Sequence, residues 1–352
     1  MNISEYRQKY DTQSVYDLLL SAFSQIEYSW EEELPELFEQ LTRKYMNGYF
    51  SNIVYSAIGD SATAGEILWD YLADELEVPF LVNRDYQLPA YVNESSFLIL
   101  ASNSGNSEEL VSVFNEALER NCTIVALSSG GKIQLMAEDL EIPFFRLKGG
   151  MKSRFAVYQL VFAVLRILQK TGFISDQDET VDRLISLLKI KGEEYSWENN
   201  IALSYAESLK NAQIAIFSAI STSGAARRMK DLFNQCAKVN CAACTIPDAD
   251  YNEIAARENS GKSKTGYRII NILDETYHPS VKTRFETAGN ILRKYSLAEP
   301  VVLVSGEETF RERLFDIIYL GDWISYYLSI ITEKNPASSD NIKLPKEQLG
   351  KK

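Results

Sequence analysis

Short apolar runs alternate with segments of helical period along most of the chain. In the first half, five runs have the length of strands: residues 53–58, 79–82, 97–101, 122–127 and 142–147. After the third run, apolar residues recur on one helical face, at Leu110, Val113, Phe114, Ala117 and Leu118. Strands that alternate with helices favour a parallel sheet with right-handed crossovers. The pattern therefore predicts a doubly wound α/β domain.

The second half repeats this alternation. Strand-like runs occupy residues 213–218, 241–246, 267–273 and 300–305, with helical patterns at 225–237 and 307–332. Since 352 residues suffice for about two domains, we predict two tandem α/β domains with doubly wound parallel sheets flanked by helices. The predicted bounds are 1–175 for an N-terminal domain with a helical extension, 176–199 for a helical linker, and 200–352 for a C-terminal domain with a terminal helix and tail.

The segment 102–109 is the strongest candidate for a binding loop. Ser102, Ser104, Gly105 and Ser107 lie between a predicted strand and a predicted helix. The first amides of a helix lack intrahelical partners and its dipole favours negative charge, so these hydroxyls and amides could enclose a phosphate. The alternative is a helix cap, because Ser followed by Glu is also a common N-terminal signature. A second hydroxyl-rich turn at 221–224 suggests that the α/β unit is duplicated.

Charge and composition limit the partners. Lys and Arg number 36 against 49 Asp and Glu, which gives a net charge of −13. Such a charge opposes attraction to nucleic acid or an anionic membrane, so neither is predicted as a partner. The N-terminus is polar and no apolar run approaches a membrane span, which favours a cytoplasmic protein. The sequence lacks G-x-G-x-x-G and Walker loops, which argues against nucleotide binding.

Cysteine and histidine do not indicate a metal site. Cys241 and Cys244 have the C-x-x-C spacing of redox or zinc sites, but the chain has a single histidine and this pair lies in an apolar strand. We predict that the cysteines pack in the core and that the protein holds no metal. His278 lies in a predicted turn, where we expect a structural or solvent-exposed role.

Five ordered motifs, which extend from about residue 50 to the end, resemble the sugar isomerase (SIS) domain family and its two-domain phosphoglucose/phosphomannose isomerases. Residues 102–109 are similar to the family's S-x-S-G-N-T-E-E loop. The other matches are 129–132 with 149–154 for S-G-G-K and G-G-x-P-x-R-A, 234–238 for N-E-N-A-K, 251–254 for H-N-E-I, and 318–328 with 342–349 for the terminal helix and I-x-x-L-K-x-x-L tail. The resemblance implies two SIS-type domains, a sugar phosphate ligand, no cofactor and a homodimer whose active site can be shared between chains.

Two positions depart from the family at its chemical groups. The glutamate of N-E-N-A-K is taken as the base that moves a proton between C1 and C2, and the histidine of H-N-E-I as the group that assists ring opening; here these are Gln235 and Tyr251. A carboxamide cannot abstract a carbon-bound proton, and a phenol with an ordinary pKa near 10 is a poor acid–base group at neutrality. A nearby carboxylate, Glu253 with Asp248 and Asp250, could supply a base instead.

Other family positions are kept or altered. Arg154 would place positive charge near phosphate or an enediolate, unless it forms a surface salt bridge. Lys346 matches a tail lysine that reaches the family's site, unless it is an ordinary charge in a Lys-rich tail. Gly59 and Ser61 match part of a G-G-S-G turn, in which Asp60 here replaces a glycine and brings negative charge toward the sugar.

Two functions remain open at this point. One is a phosphosugar isomerase that interconverts glucose, mannose or fructose 6-phosphate through a cis-enediol. The other is a phosphosugar-binding sensor or accessory protein that has lost proton transfer. The predicted phosphate- and sugar-binding residues are Gly59, Ser61, Ser102, Ser104 and Ser107; the predicted catalytic positions are Gln235, Tyr251, Arg154, Lys346 and Glu253.

Overall fold

A computed structural model of the chain describes residues 3–46, 48–256, 266–294 and 299–338. Their contacts group into two units. The N-terminal unit contains Ser21–Lys189 and Ser221–Gly224. The C-terminal unit contains the described residues up to Leu20, Ile190–Ile220 and the described residues from Ala225 onward. Each unit is built around its own parallel sheet.

The helices and strands of the first half follow the predicted alternation closely. The helices are α1 (Ile3–Tyr10), α2 (Val15–Leu20), α3 (Phe23–Glu31), α4 (Leu37–Met46), α5 (Asp60–Leu72), α6 (Glu108–Glu119), α7 (Gly131–Asp139) and α8 (Val157–Thr171). The strands are β1 (Asn52–Ser56), β2 (Phe80–Asn83), β3 (Ser96–Ser102), β4 (Thr123–Ser128) and β5 (Phe144–Arg146). All five predicted strands are therefore confirmed.

The sheet of the N-terminal unit has the order β2-β1-β3-β4-β5, with every pair parallel. The central strands β1, β3 and β4 are buried along their whole length, as expected for strands covered on both faces. One core cluster packs α6 and α7 against the sheet through Leu100, Phe114 and Ile133 among others. Helix α8, which is buried along most of its length, contacts α3, α4 and α5.

The C-terminal unit has the same strand order with one strand fewer. Its strands are β6 (Ala212–Ala219), β7 (Cys241–Ile246), β8 (Gly266–Ile272) and β9 (Val301–Leu303), in the order β7-β6-β8-β9, all parallel. The remaining helices are α9 (Asp178–Ser196), α10 (Ile201–Leu209), α11 (Ser223–Leu232), α12 (Glu253–Ala256), α13 (Pro279–Lys294) and α14 (Phe310–Ile331). The predicted pair of doubly wound parallel sheets is confirmed.

Helix α14 forms the centre of the C-terminal unit. Over its 22 residues it is long and apolar enough to cross a membrane, the only such helix in the described part of the chain, and its apolar window is entirely buried inside the protein. The sequence had suggested no run of this kind, because Arg313, Asp316 and Asp322 interrupt it. These charges are satisfied internally, as in the buried Arg228–Asp322 pair, whose contacts measure 3.0 and 3.1 Å.

The contact grouping differs from the predicted domain bounds at the N-terminal helices. Helices α1 and α2 cluster with the C-terminal unit and not with the sheet that follows them in sequence. The cause is the aromatic face of α14: the Tyr319 hydroxyl donates to the Leu19 carbonyl at 2.8 Å, and Tyr326 donates to Asp11 at 3.1 Å. The predicted linker is the single helix α9, which the grouping divides after Lys189.

We expect Asp322→Asn to lower the free energy of unfolding by about 3–5 kcal/mol, because it leaves the buried Arg228 guanidinium without its carboxylate. Urea unfolding followed by circular dichroism measures the loss. Glu179→Gln, which alters the exposed i,i+4 pair with Arg183, is the control and should change little. Equal losses in the free energy of unfolding would show that the buried pair stabilises the protein no more than the exposed pair does.

Candidate functional site

The candidate site lies at the topological switch point of the N-terminal sheet. Strands β1 and β3 are neighbours, and the chain leaves them toward opposite edges of the sheet. In doubly wound sheets the loops beyond the carboxyl ends of such strands form the ligand crevice. Gly59 and Ser61 follow β1, and the loop 102–107 follows β3, so the sequence motifs occupy this position.

The loop after β3 is shaped by its own hydroxyl groups. Ser102 Oγ accepts a hydrogen bond from the Gly105 amide at 3.0 Å and lies 3.3 Å from Ser107 Oγ. Ser104 Oγ accepts from the Asn106 amide at 3.3 Å, and Ser104 is exposed. Ser107 is the N-cap residue of α6 but makes no side-chain hydrogen bond to that helix. Its hydroxyl thus does not perform the capping role that was the alternative to ligand binding.

Two glycines let this loop cross the loop after β4. Gly105 has a φ of +67°, and a Cβ there would lie 1.7 Å from the Gly130 carbonyl oxygen. Gly131 has a φ of +78°, and its Cβ would lie 2.6 Å from the Ser104 carbonyl oxygen. The crossing is held by hydrogen bonds from the Ile133 amide to the Gly105 carbonyl (3.0 Å) and from the Lys132 amide to Asn106 Oδ1 (3.2 Å). Only glycine permits this approach of two backbones.

The turn after β1 joins the same edge. Ser61 is buried on the first turn of α5, and its Oγ accepts a weak hydrogen bond of 3.4 Å from the Asn103 amide. Gly59 has a φ of +59° with no atom within 4 Å of an added Cβ, so the space beside it is open. Asp60, the first residue of α5, is half-buried. Gly59, Ser61, Ser102, Ser104 and Ser107 are therefore brought together.

Arg154 belongs to the same unit and is buried. It lies on a short 3₁₀ turn (Ser153–Phe155) and is only 2% exposed, with its guanidinium 5.6 Å from the Phe155 ring centre. Arg154 therefore lies in the interior and not at the surface. A buried guanidinium near a polar loop is suited to hold an anion or a developing negative charge.

Sequence reasoning missed a set of buried polar residues behind this loop. Asn103 donates to the Met151 carbonyl at 2.9 Å and its own carbonyl accepts from Ser129 Oγ at 2.6 Å. Gln159, on α8, hydrogen-bonds both the amide and the carbonyl of Lys148. The available signal was a glutamine inside an otherwise apolar helix, because a buried amide must find partners.

The positions that depart from the family lie in the C-terminal unit, at opposite ends of β7. Gln235 is half-buried on a π-helical turn (Phe233–Ala237); its neighbour Asn234 binds the amide and carbonyl of Cys241, where β7 begins. Tyr251 follows the end of β7 and is 72% exposed. A six-residue strand spans roughly 17 Å, so one chain does not bring these two residues together.

Acidic residues surround Tyr251. Asp250 forms an ion pair with Arg284 of α13. Arg284 hydrogen-bonds both Asp250 and Tyr251, and these bonds, the one to Asp250 most, raise the pKa of the guanidinium. Glu253 is half-buried at the first turn of α12. The turn thus holds one carboxylate fixed by arginine and a second, Glu253, two residues from Tyr251.

The second hydroxyl-rich turn already contains an anion from the protein itself. Asp70 of α5 is buried, accepts a hydrogen bond from the Gly224 amide at 2.8 Å and another from Ser223 Oγ at 3.3 Å. A Cβ on Gly224 would lie 2.6 Å from the Glu66 carbonyl, so the approach to α5 is close. This helix N-terminus is occupied by a carboxylate, and the turn is structural.

The remaining candidates are resolved in different ways. Lys346 lies outside the described residues. His278 is exposed, and its Nδ1 accepts from the Ser280 amide at 3.2 Å. Cys236, Cys241 and Cys244 are buried free thiols, and burial raises the pKa of the Cys241 thiol. Among the described residues, no group of three His, Cys, Asp or Glu side chains could hold a metal ion.

Comparisons with known proteins show which sequences and folds are similar to this one. Residues 198–349 match the family described as bacterial phospho-glucose isomerase C-terminal SIS domain. The chain is 26% identical over 302 residues to the bifunctional phosphoglucose/phosphomannose isomerase of Caldicellulosiruptor bescii, covering 84% of this chain and 89% of that one. It is 24% identical to the enzyme of the same name from Aquifex aeolicus, covering 96% and 99% of the two chains.

The C-terminal part of the chain is thus similar to a SIS domain, and the relatives extend the similarity over most of the chain. The fold of the chain is similar to that of a hypothetical protein from Thermus thermophilus, with a TM-score of 0.72, 13% identity, and coverage of 99% of this chain and 94% of that one. The loop after β3 lies at the switch point of the N-terminal sheet and resembles the SIS phosphate-loop motif in sequence, whereas Gln235 and Tyr251 differ from the SIS motifs.

We expect Gly105→Ala to destabilise the protein far more than Gly48→Ala. Both glycines have nearly equal φ values, +67° and +64°, so the conformational penalty of about 1–2 kcal/mol is shared. Only at Gly105 does the new Cβ meet backbone, whereas nothing lies within 4 Å at Gly48. Thermal unfolding of both variants measures the difference, and equal losses would mean that the loops separate without cost.

Proposed function

We propose that this protein binds a hexose 6-phosphate at the loop after β3 and interconverts its aldose and ketose forms. The observation that carries the proposal is the geometry of residues 102–107. Two serine hydroxyls, at Ser104 and Ser107, accompany the N-terminus of α6 at the switch point of the sheet. In an acidic protein such a site holds phosphate through amides and hydroxyls. The names of the similar SIS-domain enzymes support glucose, mannose and fructose 6-phosphate as the substrates.

The reaction would proceed through a cis-enediol. A base removes the proton from C2 of the open-chain aldose, and the enediol forms as the carbonyl oxygen at C1 gains a proton. Return of a proton to C1, with loss of the proton from the C2 hydroxyl, then gives the ketose. Arg154 would stabilise negative charge on the phosphate or enediolate. Gln235 can orient a hydroxyl but cannot take the proton, so we assign the base to Glu253.

The separation of Gln235 from Tyr251 along β7 supports a homodimer. Within one chain, residues at opposite ends of a strand cannot line one small pocket. A partner copy that presents one of them to the other chain would complete the site. We propose this arrangement together with a cytoplasmic location; no nucleic-acid or membrane partner is part of the proposal.

A second candidate is a phosphosugar-binding protein without turnover. The observation that favours it is the joint loss of the two groups at Gln235 and Tyr251, because neither an amide nor an ordinary phenol replaces a carboxylate base. Such a protein would keep the phosphate loop as a sensor or accessory subunit.

Ser104→Ala combined with Ser107→Ala should weaken glucose 6-phosphate binding by about 1–3 kcal/mol, the range for polar partners of a charged group. Isothermal titration calorimetry measures the affinity, with glucose as the ligand that lacks phosphate. Ser186→Ala, which removes an exposed hydroxyl on α9, is the matched control and should leave the affinity unchanged. An unaltered double variant would refute the phosphate site.

Turnover distinguishes the two candidate functions. In a coupled assay of fructose 6-phosphate isomerisation, an active wild type should lose about 10²–10⁴-fold in kcat on Glu253→Gln, with little change in sugar phosphate affinity. Glu207→Gln on the exposed face of α10 is the control. A fully active Glu253→Gln protein would exclude Glu253 as the base.

A wild type that binds sugar phosphate without turnover would instead support the binding protein. In that case, Gln235→Glu combined with Tyr251→His should create isomerase activity, because the pocket would regain both family groups. Continued absence of turnover in that variant would show that more of the pocket has changed than these two positions.

A further inference from the structure

Arg154 is held by backbone contacts on both sides of its short 3₁₀ turn. Before it, the Met151 carbonyl accepts from Asn103 Nδ2 at 2.9 Å. After it, the Phe155 carbonyl accepts from Gln25 Nε2 at 2.9 Å. Asn103 belongs to the loop after β3 and Gln25 to α3, so distant segments fix the two ends of the turn that carries the arginine.

Gln159 joins these two contacts. Its side-chain Oε1 accepts from the Lys148 amide at 2.9 Å, and its Nε2 donates to the Lys148 carbonyl at 3.2 Å and to Asn103 Oδ1 at 3.4 Å. Its own backbone amide donates to Gln25 Oε1 at 3.3 Å. The side chain is 0% exposed, and its backbone carbonyl accepts from Ser29 Oγ at 3.0 Å.

A glutamine in the middle of a buried helix costs free energy unless all its polar atoms are satisfied. Here each polar atom of the Gln159 side chain is used, and its partners belong to the segment before Arg154 and to the β3 loop. The two longer bonds, at 3.4 and 3.3 Å, are weak, whereas the pair on Lys148 has the geometry of a backbone pairing. The side-chain amide of Gln159 therefore links the segment before Arg154 to the loop after β3.

We propose that Gln159 is a positioning residue that couples the β3 loop to the segment 148–154, so that Arg154 and the phosphate loop bind one anion as a unit. This inference rests on the proposed function, because it takes sugar phosphate as the ligand of that loop. Gln159 does not touch the ligand; it acts through Asn103 and the backbone that precedes Arg154.

The test compares Gln159→Met with Thr171→Val. Methionine keeps the length of the side chain and removes its hydrogen bonds. Thr171 is equally buried on the same helix, where its hydroxyl donates to the Ile167 carbonyl at 2.8 Å. The two residues are separated by roughly 18 Å along α8, so Thr171→Val removes a buried polar group away from the site. Both variants lose stability.

Affinity for glucose 6-phosphate should fall on the order of tenfold in Gln159→Met and stay constant in Thr171→Val, since small misplacement of a binding group has effects of this size or larger. In the Arg154→Gln background, Gln159→Met should have little additional effect, because residues that act as a unit are not additive. Independent, additive losses from the two substitutions would overturn the coupling.

Hydrogen exchange without ligand gives a second readout. Gln159→Met should accelerate exchange at the Lys148 amide and across the loop 102–107 together, whereas Thr171→Val should not. Unchanged exchange in both segments would also overturn the inference. The proposed function is judged separately, by wild-type binding and by the Ser104→Ala and Ser107→Ala double variant, so its failure is distinguishable from failure of the coupling.

Discussion

The backbone contact between Gly105 and Gly130 is the constraint on which the candidate site depends. Two loops that leave neighbouring parallel strands cross with no room for a single methyl group. Once they cross, Ser129 reaches the Asn103 carbonyl, and the β3 loop acquires its fixed shape. A ligand would therefore meet donors that are already ordered, and little conformational entropy would be lost on binding. Loss of Gly105 or Gly131 would therefore disturb the loop before it disturbs any ligand contact.

Topology and strand positions followed from the sequence because they depend on local periodicity. Strand β7 has the predicted bounds, and the other predicted strands differ by one or two residues at their ends. The grouping of α1 and α2 did not follow, because it depends on hydrogen bonds between residues some 300 positions apart, such as Tyr319 with Leu19. Periodicity carries no information on which partner an amphipathic helix chooses.

The residue types of the site could be predicted from the sequence, but the buried hydrogen bonds that hold its loop could not. Serine and glycine at 102–107 identify the loop, since helix N-termini and tight turns need those residues. The roles of Gln25, Asn103 and Gln159 arise from segments more than 50 residues apart. Burial of Arg154 likewise depends on the packing of α3 and α8, which composition cannot show.

The two hydroxyl-rich turns show why such a turn does not by itself indicate a ligand. In the N-terminal unit, Ser107 leaves the first turn of α6 without a side-chain cap. At α11, Asp70 fills the equivalent place with a buried carboxylate. The helix dipole favours an anion at each helix N-terminus, and at α11 a buried carboxylate of the protein itself occupies that place. The discriminating residue lies about 150 positions away from the turn that it occupies.

The departures from the family motifs also depend on where their residues lie in the fold. Gln235 and Tyr251 lie at opposite ends of β7, so neither substitution compensates for the other within one chain. Asp250 is committed to Arg284, which leaves Glu253 as the half-buried carboxylate of this turn. A carboxylate becomes a useful base when burial raises its pKa toward neutrality. In the proposed dimeric site, proton transfer by Glu253 would require the assembled protein and not the isolated chain.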